Sequence, residues 1–449
     1  ERFGELVVVL HSGLNDRQRY DAWQRVRRGD VRLVVGARSA LFAPLDRPGL
    51  IVVDEEHDQG YKQEESPRYH ARDLALVRAR EAGAVAVLGS ATPSLEVWSL
   101  TERGKAERLV LPERVGGGAL ARVELVDMRE EFAATGEDRP LSRRLSEALE
   151  ETVARREQAI VLINRRGQTR SLLCRECGEP VGCSACSISL TWHRVGARLR
   201  CHFCGHARPR PETCPACGSP HLADVGHGTQ RVEQVLREQL PEARIERLDR
   251  DAVRSARRLA ELLDAFARGE VDVLVGTQMI AKGHHFPRVT LAGVVSADAG
   301  LGLPDFRAAE RTFQLLTQVA GRAGRGERPG RVLIQAFRAE HPALQAAVAQ
   351  DYETFATRER AARQSFHYPP ASALANVVVS DRQGAYVLVV EQGRAVRRTV
   401  EVRARGERWT AVGGLESGQR LVRSAARLEP GVAVEPVEAK EVGGPGGAS

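Results

Sequence analysis

GLIVVDEEH, residues 49–57, decides how the rest of this chain is read. Leu50 to Val53 form an unbroken apolar run without polar alternation, the pattern of a buried strand in a parallel sheet. Such a strand delivers Asp54, Glu55, Glu56 and His57 at its C-terminal end, the edge where open α/β sheets bind ligands. An aspartate there can hold Mg²⁺ through water, and the adjacent glutamate can orient and deprotonate a water for attack on a nucleotide γ-phosphate. Alone, the tetrapeptide reads equally well as a solvated acidic turn.

Three further stretches narrow the choice. VAVLGSATPS (85–94) is a second apolar strand ending in small hydroxyl residues, and its GSAT-Pro resembles motif III of superfamily 2 helicases. VDVLVGTQMIAKG (271–283) is a strand with Thr277, Gln278 and Lys282 beyond it. LLTQVAGRAGR (315–325) spaces Gln318, Arg322 and Arg325 by four and three, which on a continuous helix puts them on one face. Arginines so placed can stabilise charge developing on a transferring phosphoryl group.

All 8 cysteines lie between Cys174 and Cys217 as CxxC pairs: Cys174/Cys177, Cys183/Cys186, Cys201/Cys204 and Cys214/Cys217. Two such knuckles supply the four thiolates of one structural zinc site, so the set predicts two Cys₄ sites. Four pairs can be matched in three ways. The stretch between Cys186 and Cys201 suits a zinc-ribbon hairpin, which favours a nested arrangement: Cys183, Cys186, Cys201 and Cys204 as one site, Cys174, Cys177, Cys214 and Cys217 as the other. A disulfide framework would require a secreted protein, and no stretch resembles a signal peptide. With eight thiolates counted, His193, His202, His206 and His221 are not expected to be ligands.

The chain has 449 residues, enough for about three domains. No run of 18 apolar residues occurs, so no membrane partner is expected. The formal charge of +7 is compatible with a nucleic-acid partner without requiring one. The excess is nearly all arginine, lysine occurring only at positions 62, 105, 282 and 440.

Together these stretches resemble the replication-restart helicase family of primosomal protein N′, a branch of superfamily 2. VGARSALFAPL (35–45), DEEHDQGYKQEESPRYHARDLA (54–75), NRRG (164–167), the eight-cysteine insert, GTQMIAKGHHFPRVTLAGVV (276–295), LPDFRAAERTFQLLTQVAGRAGRG (303–326) and HYPP (367–370) carry the resemblance. The zinc insert within the second lobe is what separates this family from other superfamily 2 helicases. The resemblance implies an α/β fold of two RecA-like lobes closing over ATP with Mg²⁺, 3′ to 5′ translocation on DNA, and two structural zinc ions. It also implies recognition of stalled forks through single-stranded and duplex DNA, primosome proteins, a replicative helicase loader and single-stranded DNA-binding protein as partners, and a cytoplasmic location. Within that frame Asp54, Glu55, Gln318, Arg322 and Arg325 are expected to be catalytic. Glu56, His57, Thr277, Gln278, Lys282 and Gly283 are expected at the nucleotide. The segment Asp58 to His70 resembles the family's aromatic-rich loop, which couples DNA contact to hydrolysis. Tyr61 and Tyr69 suit base stacking, and Lys62, Arg68 and His70 suit phosphate.

Two features depart from the family. No phosphate loop GxxxxGK[ST] occurs; Gly104-Lys105-Ala106 lacks both the hydroxyl residue and the upstream glycine. After about Ser380, residues 385–437 read as short strands with glycine turns, and GLESGQRLV resembles the final β-domain of periplasmic adaptor proteins of efflux pumps. The expected organisation is therefore an incomplete first lobe at 1–115, the start of a second lobe at 140–171, a zinc insert at 172–222, the rest of the second lobe at 223–380, and a β-rich tail at 385–437 that reads as foreign to the family. The leading expectation is an ATP-dependent DNA helicase fragment without ATPase activity of its own. The alternatives are a non-catalytic zinc-stabilised binding module and, supported by the tail alone, a periplasmic adaptor. Apart from the recurring knuckles, no internal repeat is expected.

Overall fold

The computed structural model describes residues 3–413 except 66, 112–119, 165–169, 185–188, 194–195, 202–204, 225–227, 250–251, 254, 281–285, 304, 325–327, 367, 372–378, 382–383, 392–393, 400 and 406–409. Two compact units result, Glu1–Leu109 and Val110–Ser449.

The first unit contains β1 (Val7–Leu10), α1 (Asp16–Arg28), β2 (Leu33–Gly36), β3 (Leu50–Val53), β4 (Lys62–Gln63), β5 (Tyr69–His70), α2 (Ala71–Ala82), β6 (Val85–Leu88) and α3 (Leu95–Glu102). Strands β1 and β2 pair in parallel, as do β3 and β6. The small side chains of Ala71, Ala75 and Ala79 let α2 pack closely on its strands. The sequence predicts β3 buried on both faces, and this is not what the structure has. Leu50 and Val52 are 58% and 60% exposed, as are Val85 and Val87 of β6 at 61% and 43%. Only one face of this ladder has a helix packed on it among the described residues.

The second unit begins upstream of the expected residue 140. It contains β7 (Arg122–Asp127), α4 (Met128–Thr135), α5 (Arg143–Ala154), β8 (Gln158–Ile163), β9 (Arg170–Cys174), β10 (Thr191–His193), β11 (Arg198–Arg200), β12 (Ala207–Pro209), β13 (Leu222–Asp224), α6 (Thr229–Gln239), β14 (Ile245–Leu248), α7 (Ala256–Arg268), β15 (Val273–Gly276), β16 (Val289–Val295), α8 (Ala308–Ala320), β17 (Arg331–Ala336), α9 (Pro342–Ala349) and α10 (Tyr352–Ser365). Six strands form one parallel sheet in the order β14-β15-β8-β16-β17-β7. Residues 122–127, which fall between the expected lobes, belong to this sheet: β7 takes its edge beside β17, with Arg122 opposite Arg331 and Asp127 opposite Ala336. The six residues of β8 and seven of β16 are all buried, as central strands covered on both faces must be. Leu145, Leu149, Val232 and Leu236 of α5 and α6 pack in one core, and Phe313, Leu316 and Leu344 of α8 and α9 in another.

The cysteine-rich stretch interrupts this sheet as an antiparallel one of order β12-β11-β10-β9-β13. Beyond α10 follow β18 (Val379–Asp381), β19 (Gly384–Glu391), β20 (Arg394–Thr399), β21 (Glu401–Arg405) and β22 (Thr410–Gly413), all paired antiparallel. GLESGQRLV and the remainder of the expected tail lie outside the described residues. Among the described residues no helix is long and apolar enough to cross a membrane.

An internal repeat, not expected from the sequence, links the two units. Helices α1 and α7 are both 13 residues long, start on a side-chain cap (Asn15, Ser255), and end on left-handed glycines, Gly29 at φ 80° and Gly269 at φ 81°. Each feeds a strand that pairs in parallel with the strand before the helix, RGDVRLVVG (28–36) matching RGEVDVLVG (268–276). Both strands end on a glycine beside its neighbour's carbonyl. A Cβ on Gly36 would lie 2.2 Å from the Leu10 oxygen, and one on Gly276 2.1 Å from the Leu248 oxygen. Gly276→Ala is expected to destabilise the second unit by about 1–3 kcal/mol through this overpacking. Gly36→Ala should do the same to the first unit, both read as lower denaturant midpoints at unchanged slope.

Candidate nucleotide, hairpin and metal sites

At the C-terminal end of β3 the four acidic-run residues divide into two kinds. Asp54 and Glu55 are exposed at the sheet edge. The Asp54 carboxylate accepts a hydrogen bond from the Glu55 amide at 3.0 Å, and Glu55 is held at φ 47°, a left-handed conformation uncommon for a side-chain-bearing residue. That turn sends the next residue inward. Glu56 is fully buried, its Oε1 accepting from the Ser94 amide at 2.5 Å and its Oε2 from the Ser94 hydroxyl at 2.9 Å. Arg72 of α2 donates to Glu56 at 3.2 Å and to Ser94 Oγ at 2.7 Å. The expectation that Glu56 contacts nucleotide is therefore corrected: both its oxygens are committed to tying β3 to α2 and to the loop after β6. Burial pushes its carboxyl above the usual range, against the pull of Arg72 and Ser94. His57 makes a parallel tie, its Nδ1 2.7 Å from Ser90 Oγ and 3.5 Å from Glu55. The acidic run and GSAT are thus one hydrogen-bonded assembly.

Within Asp58 to His70, a 3₁₀ turn at Gln59–Tyr61 leads into a short antiparallel pair, Lys62 opposite His70 and Gln63 opposite Tyr69. Tyr61 donates its hydroxyl to the Asp54 carbonyl at 2.8 Å. Burial, then Asp54 and its acidic neighbours, hold that phenol above its ordinary range, so it remains a donor. Arg38, just beyond β2, donates to the Lys62 carbonyl at 2.5 Å and the Gly60 carbonyl at 3.3 Å, with its guanidinium 5.9 Å from the Tyr69 ring centroid. Phe42 meets Tyr69 edge-on at 5.3 Å. Lys62 and Arg68 are exposed. His70 is not the phosphate-seeking cation expected. Burial and the neighbouring Arg72 lower its pKa to about 4, so it is neutral at pH 7. Arg38 and Phe42 were missed by sequence reasoning, although they lie within VGARSALF; their partners are 22 to 31 residues downstream.

In the second unit Thr277 and Gln278 follow β15 at the sheet's C-terminal edge, half-buried, while Lys282 and Gly283 lie outside the described residues. Gln318 sits in the last turn of α8. The expected continuous helix face is not formed. Helix α8 stops at Ala320 with Gly321 as its cap, Arg322 stands in the following turn, and Arg325 is outside the described residues. Glycine's poor helix propensity accounts for the stop.

The four sulfurs of Cys174, Cys177, Cys214 and Cys217 lie within 4.8 Å of one another. Cys174 to Cys217 and Cys177 to Cys214 are each 3.7 Å. A tetrahedron of sulfurs about 2.3 Å from zinc has edges of about 3.8 Å, so this donor set fits the ion. It is also the outer member of the nested arrangement. Cys183 and Cys201 are buried in the same small core, and Cys186 and Cys204 lie outside the described residues. Burial, with hydrogen bonds to Cys217, Cys174 and Cys214 adding to it, pushes the Cys177 thiol up.

Both units are α/β with parallel strand pairing, and the second is interrupted by a cysteine-rich module. Residues 225–327 match the helicase conserved C-terminal domain and residues 183–209 the PriA DNA helicase Cys-rich region domain. The replication restart protein PriA of Bacillus subtilis is 50% identical over 391 residues, 87% of this chain and 48% of its own length. That of Synechocystis is 45% identical over 382 residues, 83% and 46% respectively. Over the stretch they share, the chain is similar to the PriA replication restart proteins. It spans about half the length of these relatives. The Mycobacterium smegmatis helicase Lhr bound to single-stranded DNA and AMP-PNP matches at a TM-score of 0.41 and 15% identity, covering 78% of this chain and 37% of that one.

Removing Glu56 takes from buried Arg72 one of its two carboxylate partners, Asp73 staying 2.9 Å away, and leaves the Ser94 amide without its acceptor. Glu56→Ala is expected to cost about 3–5 kcal/mol of first-unit stability in denaturant titration, whereas Glu55→Gln, at an exposed position, should cost little. His341, half-buried beside Arg338, likewise has its pKa lowered to about 4 by desolvation and then by Arg338. Since His70 and His341 are neutral when folded and titrate near 6.5 when unfolded, the unfolded chain binds more protons between those values. Stability is expected to be flat in pH above about 6.5 and to fall as pH drops from about 6.5 towards 4, and His70→Asn should flatten that fall for the first unit.

Proposed function

We propose that these residues serve the ATP-dependent 3′ to 5′ DNA helicase of replication restart, which recognises stalled forks and starts primosome assembly. The observation that carries the reading is the hydrogen bond from Tyr61 to the Asp54 carbonyl, which joins an aromatic hairpin suited to bases directly to an acid pair suited to a nucleotide. Displacing the hairpin on DNA would alter the backbone position of Asp54 and, through it, of Glu55.

When bound, ATP with Mg²⁺ supplies the phosphoryl group and the charge that offsets its negative oxygens. In this reading Asp54 carries the carboxylate for the metal's water shell, and Glu55 accepts the proton of the attacking water. Glu56 and His57 keep the acid pair in place through Ser94 and Ser90. In the second unit Gln318, Arg322 and Arg325 are the candidates to act on a transferring phosphate, and Thr277, Gln278, Lys282 and Gly283 the candidates to contact nucleotide. Tyr61, Tyr69, Lys62 and Arg68 meet DNA. Both Cys₄ sets hold structural zinc, four thiolates leaving no position for a reacting water. Primosome proteins, a helicase loader and single-stranded DNA-binding protein are the partners, and the cytoplasm the location. The domain reading carried forward is a first lobe to about residue 110, a second from about residue 120 to 380, and the zinc insert at about 170–224.

A non-catalytic binding module is the second reading for this chain, favoured by its lack of a GxxxxGK[ST] sequence. Zinc content and DNA-stimulated ATP hydrolysis of the chain and its Glu55→Gln variant test the pair. About two zinc per chain with no turnover above the variant is expected; turnover that requires both DNA and Glu55 would show that hydrolysis needs no such loop. Tyr61→Ala and Tyr69→Ala should each weaken single-stranded DNA binding by about 1–3 kcal/mol in fluorescence anisotropy. Unchanged affinity in both would remove the hairpin from the DNA-binding surface.

A further inference from the structure

Arg175 stands inside the first knuckle, between the ligand candidates Cys174 and Cys177, and is 3% exposed although its neighbour Glu176 is on the surface. A knuckle residue in that position is ordinarily solvated, and a buried guanidinium is costly unless fully partnered. Here the partners all come from outside the turn. Its Nη2 donates to Asp138 Oδ2 and to the Asp224 carbonyl, both at 3.0 Å. Asp138 Oδ1 stands 2.9 Å from its Nε. The guanidinium also lies 4.5 Å from the ring centroid of Phe337, the first residue after β17.

Phe337 is in turn bound to the main sheet's C-terminal edge. Its amide and that of Arg338 donate to the same carboxylate oxygen of buried Asp298, at 2.8 and 3.1 Å. Asp298 lies in the 3₁₀ turn Ala297–Gly300 that follows β16. Asn164, after β8, donates to the Ala297 carbonyl of that turn at 3.0 Å. The knuckle backbone makes the same approach independently: Gly178, at φ 75°, sits so close that a Cβ would lie 2.3 Å from the Phe337 carbonyl oxygen.

We infer that Arg175 is a positioning residue that welds the Cys174/Cys177/Cys214/Cys217 metal site to the helicase lobe, so that metal occupancy is thermodynamically linked to the order of the Ala297–Gly300 turn and of Phe337–Arg338. Without a cation, crowded thiols have no reason to hold the knuckle turn in this shape, and Arg175 leaves with it. With a cation bound, the turn is fixed and the guanidinium presses on the lobe from a rigid base. Linkage requires reciprocity: disrupting the contact from the lobe side must weaken metal binding by the same factor that metal binding strengthens the lobe. Arginine is needed here because it supplies two hydrogen bonds, an ion pair and a planar face to the ring at once, which lysine cannot.

The inference rests on reading the four cysteines as a metal site, and the test separates the two. Amide hydrogen exchange of the whole chain is compared zinc-loaded and after chelation, for wild type, Arg175→Lys, Arg175→Met and Asp138→Asn. In wild type, stripping zinc should raise exchange by roughly tenfold or more both in the cysteine module and at residues 297–301 and 337–339. In the Arg175 variants the zinc-saturated protein should still protect the module but give zinc up to a chelator more readily than wild type, while the lobe segments exchange fast in both states. Asp138→Asn should give an intermediate response and weaker zinc retention against a chelator. If zinc is taken up and stripping deprotects only the module, or if Arg175→Lys keeps the full zinc response in the lobe, the weld is wrong while the metal site stands. If the four cysteines bind no zinc, the site reading and the weld fail together.

Discussion

Parallel pairing in common register is the constraint from which the candidate nucleotide-contacting residues of both units follow. When β14, β15, β8, β16, β17 and β7 run the same way, each releases the chain at the same edge, and the residues after the strands are gathered there however far apart they lie in sequence. Thr277 after β15, Asn164 after β8, Ala297 after β16 and Phe337 after β17 are neighbours for this reason. In the first unit the same rule brings Asp54 after β3 beside Gly89 after β6, the Glu56 amide donating to the Gly89 carbonyl at 3.0 Å. The glycines that close β2 and β15 belong to the same constraint, because a side chain there would strike the neighbouring strand's carbonyl.

Polar groups then do what apolar packing cannot: they fix which loop meets which. Glu56 with Ser94 and Arg72, His57 with Ser90, and Asp298 with the Phe337 and Arg338 amides are buried or half-buried contacts whose loss would leave unpaired groups. Their net stabilisation is small compared with that of the cores, but their directionality selects a single arrangement of the edge loops. A comparable network joins α8 to α10. Arg363, 2% exposed, donates to Glu310 at 2.7 Å and to Glu359 at 3.0 Å, beside Phe306 stacked on Tyr368. The residues near the end of α8 thus belong to a helix anchored near its beginning.

The cysteine module shows how an insertion can be either tethered or integrated. Its sheet is antiparallel and shares no strand with the parallel one, and its small core is its own. Arg175, Gly178 and the contact of His221 with Phe132, ring centroids 5.1 Å apart, make it part of the lobe. A module held only by its two chain crossings would leave such residues solvated.

What the sequence determined by itself was local. Apolar runs ending in DEEH, GSAT and GTQ gave strands and their functional ends, because a strand's character and its exit residues are contiguous. Four CxxC pairs gave metal chemistry, because thiolate spacing within a knuckle is set by one turn of backbone. Tertiary structure decided whatever depended on a distant partner: that Glu56 is a buried tie and Glu55 an exposed one, since the difference is made by Arg72 and Ser94; that His70 is neutral, since burial beside Arg72 removes its charge; and that residues 122–127 join a sheet, since their partner strand begins at Arg331. The αβ repeat at 28–36 and 268–276 was written in the chain but became legible only when helix length, capping glycine and strand-end carbonyl coincided in space, because those geometric demands tolerate many side chains and fix only glycine.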